Sequence, residues 1–110
     1  IDPDSNFYAI SDNISSKYYN ETSFNNMIND TANCDTLLSL MHVNIRSVPA
    51  NLSSLSNYTS SLEKAFDVIA LTETWLQHHN IDSYNLHGYK MESRIRENCR
   101  GGGVSILLKE

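Results

Sequence analysis

The chain predicts an α/β fold built on a βαβ unit, and three observations carry that expectation. Two short apolar runs, residues 38–43 and 66–71, each have the length and composition of a buried strand. Between them, Leu52, Leu55, Tyr58, Leu62 and Ala65 recur at spacings of three and four, as on one face of a helix. Each run gives out at a polar residue, Asn44 after the first and Glu73 after the second, 29 positions apart. Parallel neighbours need a crossover of this length, so the two polar residues are expected at one edge of one sheet.

Residues 1–36 read as an acidic, Asn/Ser-rich leader that is largely disordered. The exception is Tyr18 to Ile28, whose preferred reading is a loosely structured linker with a few apolar side chains, and whose apolar positions offer as the alternative a short helix or docking segment with Ser23 as N-cap. Order is expected from Leu37. Leu38, Leu40 and His42 alternate with Ser39, Met41 and Val43, which predicts a strand buried on both faces with His42 packed in the core. Ser47 and Pro49 punctuate the chain, and Asn51 is the expected N-cap of a helix of about fifteen residues. Phe66 to Leu71 is the second strand, with Val68 and Ile69 supplying β-branched bulk. The polar stretch 77–88, with His78 and His79 solvated, reads as a surface loop, and Tyr89 to Ile95 as a third strand. Gly101 to Gly103 make a turn into a fourth strand, Val104 to Lys109. No helix follows those glycines, so a phosphate-cradling loop is excluded and a tight turn is the reading.

Charge is distributed unevenly over the 110 residues, whose net charge is -5. Residues 1–37 hold six acids against Lys17 alone, whereas residues 38–110 hold seven acids and seven bases and sum to zero. The acidity therefore belongs to the leader and does not exclude a nucleic-acid partner for the rest. Lys90, Arg94, Arg96 and Arg100 form a basic cluster suited to DNA backbone or to a solvated hairpin. Cys34 and Cys99 lack the spacing of a zinc site and read as free thiols in a reducing compartment. No run is long enough to span a membrane. Five Asn-x-Ser/Thr sequons, at Asn13, Asn20, Asn29, Asn51 and Asn57, leave open a secreted glycoprotein module. The chain stops at Glu110 while a strand-like run is finishing, which reads as a cut within a domain.

Ligand sites of open α/β sheets lie at the carboxyl ends of strands. The Asn44 amide and the Glu73 carboxylate are thus a candidate metal and phosphate site. The surrounding strings are His42-Val43-Asn44-Ile45-Arg46-Ser47, Phe66-Asp67-Val68-Ile69-Ala70-Leu71-Thr72-Glu73-Thr74-Trp75-Leu76, Gly88-Tyr89 and Arg100-Gly101-Gly102-Gly103-Val104. In that order and spacing they resemble the opening part of the endonuclease of non-LTR (LINE-type) retrotransposons. Those enzymes belong to the endonuclease/exonuclease/phosphatase superfamily, with apurinic-site endonucleases and DNase I.

The resemblance implies a partial four-layer α/β sandwich (α+β in its segregation of elements), cut to about four strands and one main helix. Residues 37–110 would be the N-terminal portion of the domain. It implies Mg²⁺, with Mn²⁺ as a substitute, held by Glu73 with Asn44 assisting at the metal and the scissile phosphate. Arg46 stands where many members carry Asp or Asn; a guanidinium cannot ligate a cation but can hold a phosphate oxygen. The family's catalytic His and its later Asp motifs are absent from this chain, so the fragment is expected to be inactive alone. Trp75 is read as a core or rim packing residue, with a substrate-stacking aromatic as the alternative. The implied parent nicks double-stranded DNA, acts in the nucleus, and continues into a reverse transcriptase domain. A non-catalytic remnant of a degenerate element is the alternative.

Overall fold

The computed structural model describes residues 17–30, 37–97 and 101–110. It is a mixed α/β unit: helix α1 (Glu21–Asp30), strand β1 (Leu40–Asn44), helix α2 (Val48–Ser60), then strands β2 (Val68–Thr72), β3 (Tyr89–Arg94) and β4 (Val104–Lys109). Among the described residues there are two helices, where one main helix was expected. The strands form one open sheet in the order β1-β2-β4-β3. β1 and β2 are parallel neighbours joined through α2, as the βαβ reading required. β4 runs antiparallel to both β2 and β3, so β3 points the same way as β1 and β2. The carboxyl ends of three strands and the start of β4 therefore share one edge.

Side-chain parity splits the sheet into two unlike faces. On one face Met41, Ile69, Leu107 and Met91 lie in register across all four strands. The next row on that face is Val43, Leu71, Ser105 and Ser93. Helix α2 and the loop between β2 and β3 cover these rows through Val48, Leu55, Leu76 and Leu86, and Tyr89 at the start of β3 completes the core. The two serines satisfy each other inside it, Oγ to Oγ at 2.7 Å. The opposite face carries Leu40, Val68, Ala70, Ile106 and Leu108, and it is open: Leu40 is 64% exposed and Ile106 47%.

Two expectations fail on that face. β1 is an edge strand with one side open, not a strand buried on both faces, because no layer among the described residues covers it. His42 is exposed and bonds Thr72 Oγ1 through Nε2 at 3.1 Å, so it is not a packed core histidine. Alternation of apolar and small residues does not by itself say whether both faces are covered.

Helix α2 begins earlier than expected. Ser47 is its N-cap, accepting the Ala50 N–H at 3.2 Å, and Pro49 sits in the first turn, where its missing N–H costs nothing. Asn51, the expected cap, instead donates its amide to the carbonyls of Ile45 and Arg46, both at 2.9 Å, and so ties the helix start to the end of β1. The helix stops at Ser60, so Leu62 and Ala65 fall beyond it. Helix α1 forms where a loosely structured linker was the preferred reading, and takes the helical alternative with Asn20 rather than Ser23 as its cap. Ser23 N–H donates to Asn20 Oδ1 at 2.7 Å while Asn20 N–H donates to Ser23 Oγ at 3.0 Å, a reciprocal box with Ser23 at the third helical position. α1 docks through Asn25, which donates to Ser61 O at 3.0 Å and accepts from Glu63 N at 2.8 Å. Phe24 stacks on Phe66 with ring centroids 6.0 Å apart. The remainder of the expected leader, and both Cys34 and Cys99, lie outside the described residues.

Opposite the shared edge, Asp67 locks the start of β2. Its Oδ2 accepts from Ser39 N at 2.9 Å and Ser39 Oγ at 3.1 Å, and its Oδ1 pairs with Lys109 at 3.3 Å. The Ser39 backbone bond, aided by Lys109, holds the Asp67 carboxyl below its usual range.

Candidate functional site

The chain bends sharply where β1 and β2 end. Arg46, Ser47, Glu73 and Trp75 all have positive φ, at 48°, 93°, 56° and 55°. Non-glycine residues adopt such conformations at a cost, and clusters of them mark sites where geometry is held by the surroundings. Here the holding groups are backbone hydrogen bonds on both sides of residues 72–75. From the β1 side, Ile45 N donates to Thr72 O at 3.0 Å, Ser47 N to Glu73 O at 2.8 Å and Val48 N to Thr74 O at 2.9 Å. From the β4 side, Trp75 N donates to Gly102 O at 2.9 Å. Glu73 is thus wedged between the entrance to α2 and the glycine turn.

Its carboxylate is aimed by two donors. Trp75 Nε1–H donates to Oε2 at 3.0 Å, and Gly102 N–H donates to the same oxygen at 3.1 Å. Both bonds fall on Oε2, which leaves Oε1 as the oxygen for a further ligand. The indole bond is the main reason the Glu73 carboxyl is held below its ordinary range, followed by the Gly102 bond; the charges of Arg96 and Arg46 add to it against partial desolvation. Glu73 is therefore ionised throughout the neutral range.

The glycine turn has the close approach that Gly requires. A Cβ on Gly102 would lie 2.5 Å from Arg96 Cδ, so the Arg96 stem crosses its backbone. A Cβ on Gly103 would lie 2.6 Å from Thr74 Oγ1. Thr74 is fully buried, and its hydroxyl finds no hydrogen-bond partner among the described residues. This packing is the close approach expected where Gly101–Gly103 feed β4, while residues 98–100 of the connection lie outside the described residues.

Asn44, the last residue of β1, is exposed on the open face, in register with Thr72 and one residue short of the level of Glu73. The sheet therefore brings Asn44 and Glu73 to adjacent strand ends, as their spacing predicted. Arg46 is exposed at the same edge, and its charge reaches Glu73. Arg96, just past β3, does the same from the other side. Arg94 ends β3 in the same cross-strand row as Asn44, Thr72 and Val104, at the far side of the sheet, with Nη1 on Ser93 O at 3.2 Å. Arg100 lies outside the described residues. His78 is solvated and pairs with Glu97 at 3.5 Å, and His79 is exposed. Trp75 is a rim residue, 46% exposed, lining two recesses of about 420 and 490 Å³.

Sequence reasoning missed the two donors to Glu73 and the strained backbone that aims it. Trp75 is only two positions from Glu73, but its bond to the carboxylate goes with the positive-φ bend at residues 73 and 75, and Gly102, 29 positions away, comes into contact only through β2–β4 pairing. The donor set fits Mg²⁺, which takes one or two protein oxygens and keeps its waters, better than a metal needing a full protein cage. No group of three or more His, Cys, Asp and Glu side chains among the described residues is arranged to hold a metal. No described helix is long and apolar enough to cross a membrane. In comparison with known proteins, no family model matches the chain, and neither a curated protein nor a solved structure matches it.

Proposed function

We propose that this edge is the metal-and-phosphate half of a Mg²⁺-dependent DNA endonuclease site, in a protein of the endonuclease/exonuclease/phosphatase fold. The observation that carries the reading is the Glu73 carboxylate, fixed by Trp75 Nε1 and Gly102 N beside Asn44. The open sheet face supports the fold reading, since it is the surface that the second sheet of a sandwich would cover. A divalent ion bound there, whether Mg²⁺ or Mn²⁺, supplies Lewis-acid polarisation of a phosphoryl oxygen.

The chain's own residues do the rest of this half. Glu73 contributes the anionic oxygen, already ionised and aimed. Asn44 orients the phosphate through a neutral amide that adds no repulsive charge. Arg46 and Arg96 offset the phosphate's charge, with Arg46 able to hold a non-bridging oxygen in a fork. Water attacks phosphorus and the bond to the 3′-oxygen breaks. The base that activates that water is not among these residues. In the retroelement setting the site works on nuclear double-stranded DNA alongside a reverse transcriptase domain.

The glycoprotein alternative gains nothing from the structure. At one of its sequons, the Asn51 amide nitrogen already donates to two backbone carbonyls.

The test is plasmid nicking by the protein of the full reading frame, with Mg²⁺ and with EDTA. Glu73→Gln should abolish nicking, and Asn44→Ala should slow it about 10²–10³-fold, as for loss of one preorganised polar group. A Glu73→Gln protein that nicks at near the parental rate would end the metal-ligand assignment.

A further inference from the structure

We infer that the Trp75 indole is the floor of a subsite for an unpaired nucleobase flanking the scissile phosphate. This rests on the endonuclease reading of Glu73 and extends it to what the site selects. Trp75 is 46% exposed at the edge that carries Glu73, so part of its ring is open to a ligand. One recess beside it, about 420 Å³, is lined by Leu76, His78, Ile95, Arg96 and Glu97. The other, about 490 Å³, is lined by Ser47 and Gln77, and both include Gly101. Volumes of this order hold a small planar ligand. Gly101 keeps that space clear, because a Cβ there would stand 3.4 Å from Trp75 Nε1.

The chemistry of the indole narrows the ligand. Its single N–H is committed to Glu73 Oε2, so it has no donor left for reading a base edge. What remains is the ring itself, which attracts another flat π-system by stacking and tolerates any base. Arg96 lines the recess and its charge reaches Glu73, so a strand whose phosphate lies at Glu73 is followed by a cation as it enters. The His78–Glu97 pair at the recess is between well-exposed side chains and is readily displaced. A base within a duplex has both faces taken by its neighbours. The subsite therefore selects DNA in which the residue next to the cut is single-stranded or unstacked.

Trp75 is the only tryptophan of the chain, so its emission reports this subsite alone. The 110-residue chain would be titrated in EDTA at low salt with three DNAs of equal length. These are a dye-labelled oligothymidylate, the same backbone with every base replaced by an abasic tetrahydrofuran, and a blunt duplex. Anisotropy of the label gives affinity independently of Trp75. The oligothymidylate should quench Trp75 and bind about tenfold tighter than its abasic counterpart, the order expected for one stacked base. The duplex should bind without quenching. Trp75→Leu should erase the difference between the two single strands, and Trp75→Phe, which keeps a ring, should retain part of it. Equal affinity for the two single strands, or equal quenching by all three DNAs, would overturn the subsite while leaving phosphate binding at Glu73 intact. No anisotropy change with any DNA would overturn the endonuclease reading along with it.

Discussion

Replacing Gly103 by Ala probes the packing that aims Glu73. Two costs can be worked from the geometry. Gly103 has φ of 92°, in the half of conformational space that a Cβ disfavours, and an L-residue held there costs about 1–2 kcal/mol. The new methyl would also meet Thr74 Oγ1 at 2.6 Å and Arg94 O at 3.3 Å. Thr74 is fully buried and cannot swing aside, so overpacking of about 1–3 kcal/mol is added. The sum, about 2–5 kcal/mol, is a large share of the roughly 5–15 kcal/mol that a domain possesses. Urea unfolding followed by Trp75 emission would measure it. Thr74→Ala in the same background should restore the overpacking share but not the backbone share. A double-mutant cycle should thus return a coupling of about 1–3 kcal/mol between the two positions. A Gly103→Ala chain within about 0.5 kcal/mol of the parent, the range of an ordinary surface change, would refute the account of how the turn is built.

Three further outcomes are expected. Asp67 has its carboxyl pKa depressed by Ser39 and Lys109. Its contribution is therefore present above the unfolded value near 3.9 and lost as pH falls through the lower folded value. Asp67→Asn should flatten the acid limb of a Tm-against-pH curve, and parallel curves for the two proteins would contradict the assignment. Asn25→Ala removes two hydrogen bonds that clip α1 to the end of α2. It should raise amide exchange across Glu21–Asp30 while leaving β2 protected, and unchanged protection would show that α1 is held without the Asn25 clip. Ile106, 47% exposed in the middle of the open sheet face, should drive association. Ile106→Thr should lower the sedimentation-derived self-affinity with a stability change within about 0.5 kcal/mol, and an unaltered self-affinity would acquit that face.

Much of the architecture was legible before any coordinates. β4 spans Val104–Lys109 as its alternation required, and β1 and β2 pair in parallel through a helix because their spacing allows little else. Asn44 and Glu73 reach one edge for the same reason: a residue at the end of a strand goes where the strand goes. Periodicity and spacing are local quantities, and they settle local outcomes. The expectation for His42 failed because burial depends on what covers a face, and alternation along β1 carries no information about a neighbour in space. The cap of α2 fell to Ser47 rather than Asn51 because both residue types suit the role. The choice between them was made by the Ile45 and Arg46 carbonyls, which engage the Asn51 amide. Least legible was what gives Glu73 its chemistry. Its two donors, Trp75 Nε1 and Gly102 N, come from a residue two positions on and a turn 29 positions on. The sequence alone determined that a carboxylate and an amide stand at neighbouring strand ends. Only the tertiary structure decided that the carboxylate is held below its ordinary range, fixed by two donors and flanked by an exposed indole, because those properties arise from backbone bent against its preference and from a turn distant along the chain.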